Sequence, residues 1–130
     1  MEPQVIHLIM CDRAYVDPRN LHRLNLHGVQ VRLWTLQKLP VRIDFSAVVF
    51  LRGFRGTGKI WLKVVNQATN RRVAETPARP IRFPRDPDEV AVLRSRVERC
   101  NLPSYGQYRL ELWLDDESIA SRPFCLLRRV

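Results

Sequence analysis

Along most of this chain apolar and polar residues alternate with a period of two, the spacing of a strand with one face turned inward. Between residues 41 and 52, Val41, Ile43, Phe45, Ala47, Val49 and Leu51 share one side, and Arg42, Asp44, Ser46, Val48, Phe50 and Arg52 share the other. Residues 59–66 repeat the pattern, with Ile60, Leu62 and Val64 set against Trp61, Lys63 and Val65. Near the C-terminus Tyr108, Leu110, Leu112 and Leu114 alternate with Arg109, Glu111 and Trp113. Further strands are expected at 5–11, 25–36, 71–76, 79–84 and 118–128. Turn-forming residues separate them at 17–20 (Asp-Pro-Arg-Asn), 66–70 (Asn-Gln-Ala-Thr-Asn) and 115–118 (Asp-Asp-Glu-Ser).

One segment reads two ways. Asp86-Pro-Asp-Glu has the proline and acids of a helix start, and Val90, Leu93 and Val97 would then share a helix side. As a strand, the same residues would turn Leu93, Ser95 and Val97 inward. The strand fits its neighbours better, although a short helix near 86–98 stays open. The pattern predicts an all-β chain, a single antiparallel β-sandwich domain over 1–130 with about seven to nine strands.

Composition narrows this. At 130 residues and 15.3 kDa, 45% hydrophobic, the chain can bury one core without disulfide or metal staples. Cys11, Cys100 and Cys125 are odd in number and lack C-x-x-C spacing, which points to a reducing compartment rather than a disulfide framework or zinc site. The apolar run VIHLIMC is too short for a membrane span and follows no basic region, so a cytoplasmic protein is expected, without a membrane partner. The net charge of +9 comes from 19 Arg and three Lys spread from Arg13 to Arg129. Such a spread bears on solubility and non-specific binding, and names no ligand by itself.

The nearest approach to an enzyme motif is RGFRGTGKIW, residues 52–61. It matches the phosphate-cradling G-x-x-x-x-G-K-[ST] at Gly53, Gly58 and Lys59, then puts Ile60 where a magnesium-binding hydroxyl belongs. The residues that follow alternate and include β-branched side chains, so the helix whose N-terminal amides would hold a phosphate is absent from the pattern. Glycines 53, 56 and 58 are expected instead to supply left-handed positions in a hairpin.

No other constellation carries chemistry. No serine sits in a G-x-S-x-G elbow, and His7, His22 and His27 lack H-E-x-x-H spacing. His22 and His27, five apart, should point to opposite faces of a strand. The acids at 86–89 and 115–117 have ordinary explanations as an element start and a turn. The expectation is a non-enzymatic protein with no catalytic residues, metal site, cofactor or small-molecule substrate.

What remains is a surface. Trp34, Trp61 and Trp113 fall on the polar phases of their strands, as does Phe50, and Lys63 shares the phase of Trp61. If those phases coincide in space, Trp34, Phe50, Trp61, Lys63 and Trp113 form a partner-binding face, because Trp and Arg dominate protein–protein hot spots. The reading is a protein-interaction or accessory module, with an unknown protein partner or a homodimer. The alternative is nucleic-acid binding on the same basic, Trp-bearing face through Arg32, Arg52, Arg55 and Arg109. Against both stands coverage of that face by the proline-rich segment 77–87.

The ends of the chain carry a resemblance. Asp12-Arg-Ala-Tyr-Val-Asp17 and Arg23-Leu-Asn-Leu-His-Gly28, with Gly106, Tyr108, Pro123 and Phe124 later, resemble a bacterial family of small uncharacterised domains. That family's pattern has Gly-Lys where this chain has His22-Arg23. The resemblance implies a bacterial β-sandwich and brings no activity with it. Physically, Asp12 and Asn25 could bond loop amides beside strand ends, and Gly28 permits a bulge or a close backbone approach.

Overall fold

A computed structural model describes residues 2–30, 32–35 and 38–128. In chain order the strands are β1 (Gln4–Asp17), β2 (Asn20–Val29), β3 (Leu33–Thr35), β4 (Val41–Arg52), β5 (Thr57–Asn66), β6 (Arg72–Glu75), β7 (Arg79–Arg82), β8 (Ala91–Leu102), β9 (Gly106–Leu114) and β10 (Glu117–Arg128). Two curled sheets result. Sheet A has the order β2-β1-β4-β8, and sheet B the order β3-β10-β9-β5-β6, with β7 also pairing β5. Every pairing is antiparallel except β3 with β10.

The alternation read from the sequence builds the interior. Phe45, Ala47, Val49 and Leu51 of β4 join Met10 of β1 and Val97 of β8 on the inner side of sheet A. Facing them are Ile60, Leu62 and Val64 of β5, Leu110 and Leu112 of β9, and Phe124 and Leu126 of β10. Each of the Val, Leu, Ile, Phe and Met side chains contributes about 1.5–3 kcal/mol when fully buried. Tyr108 anchors one end of sheet B: its ring stacks on Phe124 at 5.5 Å, and its hydroxyl donates to the Ser104 carbonyl at 2.7 Å. A tyrosine near a strand start bonding backbone a few residues upstream is a known corner device of sandwiches.

Several boundaries differ from expectation. The segment 86–98 holds no helix. Asp86 accepts a bond from the Asp88 amide at 2.9 Å in a local turn, and from Ala91 the chain extends as β8 alongside β4. Inward burial of Leu93 and Val97 against β4 outweighs the helix-start chemistry. The first strand continues past residue 11 to Asp17 and returns through the Asp17–Asn20 hairpin as β2. The strand expected over 25–36 is divided between β2 and β3, which belong to different sheets; positions 31 and 36 lie outside the described residues. The strand count is therefore ten rather than seven to nine.

The glycine-rich stretch after β4 is not a hairpin. β4 lies in sheet A and β5 in sheet B, so the loop carries the chain from one sheet to the other. Gly53 and Gly56 are left-handed (φ 84° and 77°), and a Cβ at Gly53 would lie 2.7 Å from the Glu2 carbonyl oxygen. Gly58 serves differently. Its missing side chain admits Leu114, whose Cδ1 would sit 2.9 Å from a Cβ there. The neighbouring Lys59 amide donates to Asp115 Oδ1 at 3.0 Å, and the Asp115 amide returns a bond to the Lys59 carbonyl at 2.8 Å. A strand amide already committed to a carboxylate is a poor phosphate cradle.

Asp12 and Asn25 lie within β1 and β2 rather than beside strand ends. Asp12 accepts from Gln30 Nε2 at 2.5 Å, and Gly28 (φ 66°) makes way for it, since a Cβ there would stand 2.2 Å from Asp12 Oδ2.

Candidate interaction surface

β5 and β9 are neighbours in the middle of sheet B, and their register sets Trp61 opposite Trp113 and Lys63 opposite Glu111. Because Leu62 and Leu112 turn inward, all four of these side chains stand on the outer face. The two indoles stack with centroids 6.1 Å apart and planes 18° from parallel. Lys63 Nζ lies 3.9 Å from the Trp113 ring centroid. An aromatic pair of this kind contributes about 0.5–1.5 kcal/mol beyond its buried area, and an exposed cation–π contact about 0.5–1 kcal/mol.

A polar chain extends the patch along β9. Trp113 Nε1 donates to Glu111 Oε1 at 3.2 Å, and Arg109 Nε donates to Glu111 Oε2 at 3.2 Å. The other Arg109 nitrogens reach Gln67 Oε1 at 2.6 Å and Asn70 Oδ1 at 2.7 Å, which fixes the guanidinium against the β5–β6 turn. On β6, Arg72 pairs with Glu75. Together these side chains border a shallow recess of about 720 Å³ beside Trp113. The Trp61 ring nitrogen is buried and has no acceptor among the described residues.

The strand within segment 77–87, β7, lies beside β5 in the sheet rather than over its outer face, and Ile81 and Phe83 enter the core. Both indoles are half-buried, supported laterally by their neighbours in the sheet.

The structure brings together some of the expected residues and separates others. Trp61, Lys63 and Trp113 form one cluster. Trp34 shares the outer side of sheet B, opposite Leu127 on β10, and is 54% exposed. Trp113, however, lies opposite Ser118 at the other end of β10, so the two indoles are separated by nine strand positions, or roughly 30 Å. Phe50 is on the outer face of sheet A, paired with His7 and meeting its ring edge-on at 5.5 Å. It lies on the opposite side of the sandwich from the indole pair. The four arginines are likewise dispersed: Arg32 precedes β3, Arg52 ends β4 opposite Gln4, Arg55 is in the intersheet loop, and Arg109 is in the recess beside Trp113.

The sequence pattern passed over a different group. Arg79 and Arg82 of β7 and Arg94 and Arg96 of β8 line one open cleft of about 700 Å³, although the two strands belong to different sheets. Its only trace in the sequence is the outward phase of β8, where Val92, Arg94 and Arg96 follow one another.

Two cysteine thiols and one arginine are held in or against the core. Burial, with the Asp44 charge second, pushes the Cys100 thiol up to about 12. Burial and then Asp12 raise Cys11. Arg122 projects between the sheets and donates to the Gln30 carbonyl, and burial lowers its proton affinity. His27 stacks on Tyr15 at 5.4 Å and meets its hydroxyl at 3.0 Å.

A family model described as a family of unknown function, DUF6941, matches residues 6–126. No curated protein matches the chain.

Proposed function

The chain belongs to that family of unknown function, and because membership assigns no activity we propose from geometry that it is a non-enzymatic protein-interaction module. Its contact surface is the outer face of sheet B, centred on Trp61, Lys63 and Trp113. The observation that carries this reading is the stacked indole pair, half-buried in the middle of a sheet, with a lysine held over one ring. A supported aromatic anchor with a polar rim is the composition of an interface centre.

The rim suggests the partner's chemistry. Lys63, Arg71, Arg72 and Arg109 border the recess, against Glu111 and the nearby Glu75. A partner with an apolar centre and an acidic margin would complement this surface. A second copy of the chain, also carrying +9, would set like charges against each other. Three free cysteines fit a reducing compartment and support the cytoplasmic location expected from the sequence, and the resemblance adds a bacterial source.

The test uses a nuclease-treated host lysate and the tagged full-length chain. One acidic protein should be retained in stoichiometric amount by the wild type and lost with Lys63→Glu. Retention of the same protein by Lys63→Glu and by the Trp61→Ala, Trp113→Ala double variant would sink the assignment of this face. Sedimentation giving a dimer that the double variant dissolves would replace the heterologous partner by a second copy.

A further inference from the structure

The cleft between β7 and β8 lies apart from the indole pair, at the seam where the edge strands of the two sheets meet. Arg79 Nη2 donates to the Arg94 carbonyl at 2.6 Å and so joins the edges of the two sheets. Arg94 Nη1 reaches the Ala14 carbonyl at 3.2 Å. Arg96 Nη1 reaches the Asp12 carbonyl at 2.6 Å and Ser46 Oγ at 3.2 Å. Arg82 makes no side-chain bond to the described residues.

These acceptors orient three guanidinium groups without neutralising them, since carbonyl and hydroxyl oxygens carry no net charge. No carboxylate lines the cleft. The ion pairs among the described residues are Arg23–Asp17, Arg72–Glu75 and Arg109–Glu111, and none uses a cleft arginine. Two adjoining recesses extend the cleft, and the positive charge continues into one of them. A recess of about 440 Å³ shares Val92 and Arg94 with the cleft and adds His22 and Arg23, the latter paired with Asp17. Another of about 330 Å³ shares Arg82 and adds Arg55 and Arg85.

A continuous run of this kind extends beyond a single phosphate and suits a repeating polyanion. Its chemistry also discriminates among polyanions. Proteins that hold single strands present aromatic rings on which bases stack. The cleft has none, and Phe83 in the adjoining recess is buried and stacked on Phe54 at 5.3 Å. A duplex keeps its bases inside and offers phosphates at regular intervals, which guanidinium forks can bind. From the oriented, unneutralised arginines and the absence of a stacking platform, we infer that the β7–β8 cleft binds the phosphate backbone of duplex nucleic acid without reading its sequence.

The test is fluorescence anisotropy of the full chain with an arbitrary DNA duplex, the corresponding single strand, and an acidic polyglutamate peptide. If four phosphates are neutralised, duplex affinity should fall about 100-fold between 50 and 200 mM salt. Arg82→Gln, at an exposed side chain without a structural bond, should weaken binding and lower the salt slope by about one. Arg82→Gln with Arg94→Gln should lower it by about two, with circular dichroism matching wild type. Arg94→Lys, which keeps the charge, should retain the wild-type slope. The Trp61→Ala, Trp113→Ala double variant should bind duplex as wild type does, which separates this site from the sheet B face. Duplex binding that is absent, or unchanged in Arg82→Gln and in the double arginine variant, overturns the inference. So does tighter binding of the single strand or of polyglutamate.

Discussion

The outer face of sheet B and the β7–β8 seam both carry several arginines or lysines, but they handle charge in opposite ways. On sheet B two of the charges are paired with acids within the face, Arg109 with Glu111 and Arg72 with Glu75, and Lys63 lies over an indole. At the seam the guanidinium groups rest on neutral oxygens. The first arrangement leaves aromatic area as the main thing offered to a partner, with charge reserved for the rim. The second leaves uncompensated charge beside aliphatic side chains such as the exposed Val92, and no aromatic ring. A net charge of +9 is therefore a poor description of either region; what a basic chain can bind depends on where its acids are.

The largest effect that could break this contrast lies on β5, where Trp61 and Leu62 are adjacent and face opposite ways. Leu62→Ala removes a 2% exposed core side chain and should cost about 2–5 kcal/mol. The Trp61→Ala, Trp113→Ala double variant should keep a cooperative urea transition while losing the partner. A double variant that no longer folds would make the indole pair a packing feature. Next in size is Lys63→Met, which gives up one cation–π contact of about 0.5–1 kcal/mol and should lower the urea midpoint slightly. Arg82→Met, at a side chain with no bonded partner among the described residues, should leave it in place. Equal shifts from the two would erase the energetic distinction between the surfaces.

The smallest effect at neutral pH concerns β8, which carries Arg94 and Arg96 outward and Cys100 in the core. Cys100 holds its proton to about 12 when folded, against an ordinary value of 9.0. Between those values the unfolded chain loses a proton that the folded chain keeps, so this thiol's contribution to stability should be constant below pH 9 and be lost as pH rises towards 12. Urea midpoints across that range check the sign, and Cys100→Ala should flatten part of the decline. A wild-type midpoint that rises through the window would show that the thiol ionises inside the fold.

Period-two alternation was enough to find β4, β5, β9 and β10, while β8 reads as a strand only by the company of its neighbours, which also places Leu93 and Val97 inward. It could not say to which sheet a strand belongs, because alternation records only that one side is buried. That is why the loop containing Gly53 and Gly56 reads as a hairpin when it joins two sheets, and why Phe50 reads as a companion of Trp61 when it lies on the opposite side of the sandwich. β4 did carry a further clue: Phe45 to Leu51 is almost wholly apolar, as suits a central strand, and Ser46 and Val48 are buried although they point away from the core. The candidate site was legible to the extent that it lies on neighbouring strands, as with Trp61, Lys63 and Trp113. The arginine cleft was not, since its members come from edge strands of two sheets and meet only once the sandwich closes.

The parallel contact of β3 with β10 joins Leu33 to Leu126, a separation of 126 − 33 = 93 residues. At about 5–20 residues per second of synthesis, β10 would follow β3 out of the ribosome after roughly 5–20 s. For that interval β3 has no strand to pair with, while the β5–β6 and β5–β7 contacts close within their own stretch of chain. Pairings of such long range also slow the search for the native topology. Sheet B therefore grows from its β5–β6–β7 edge across β9 and β10, and β3, with the exposed Trp34, waits the longest for its place.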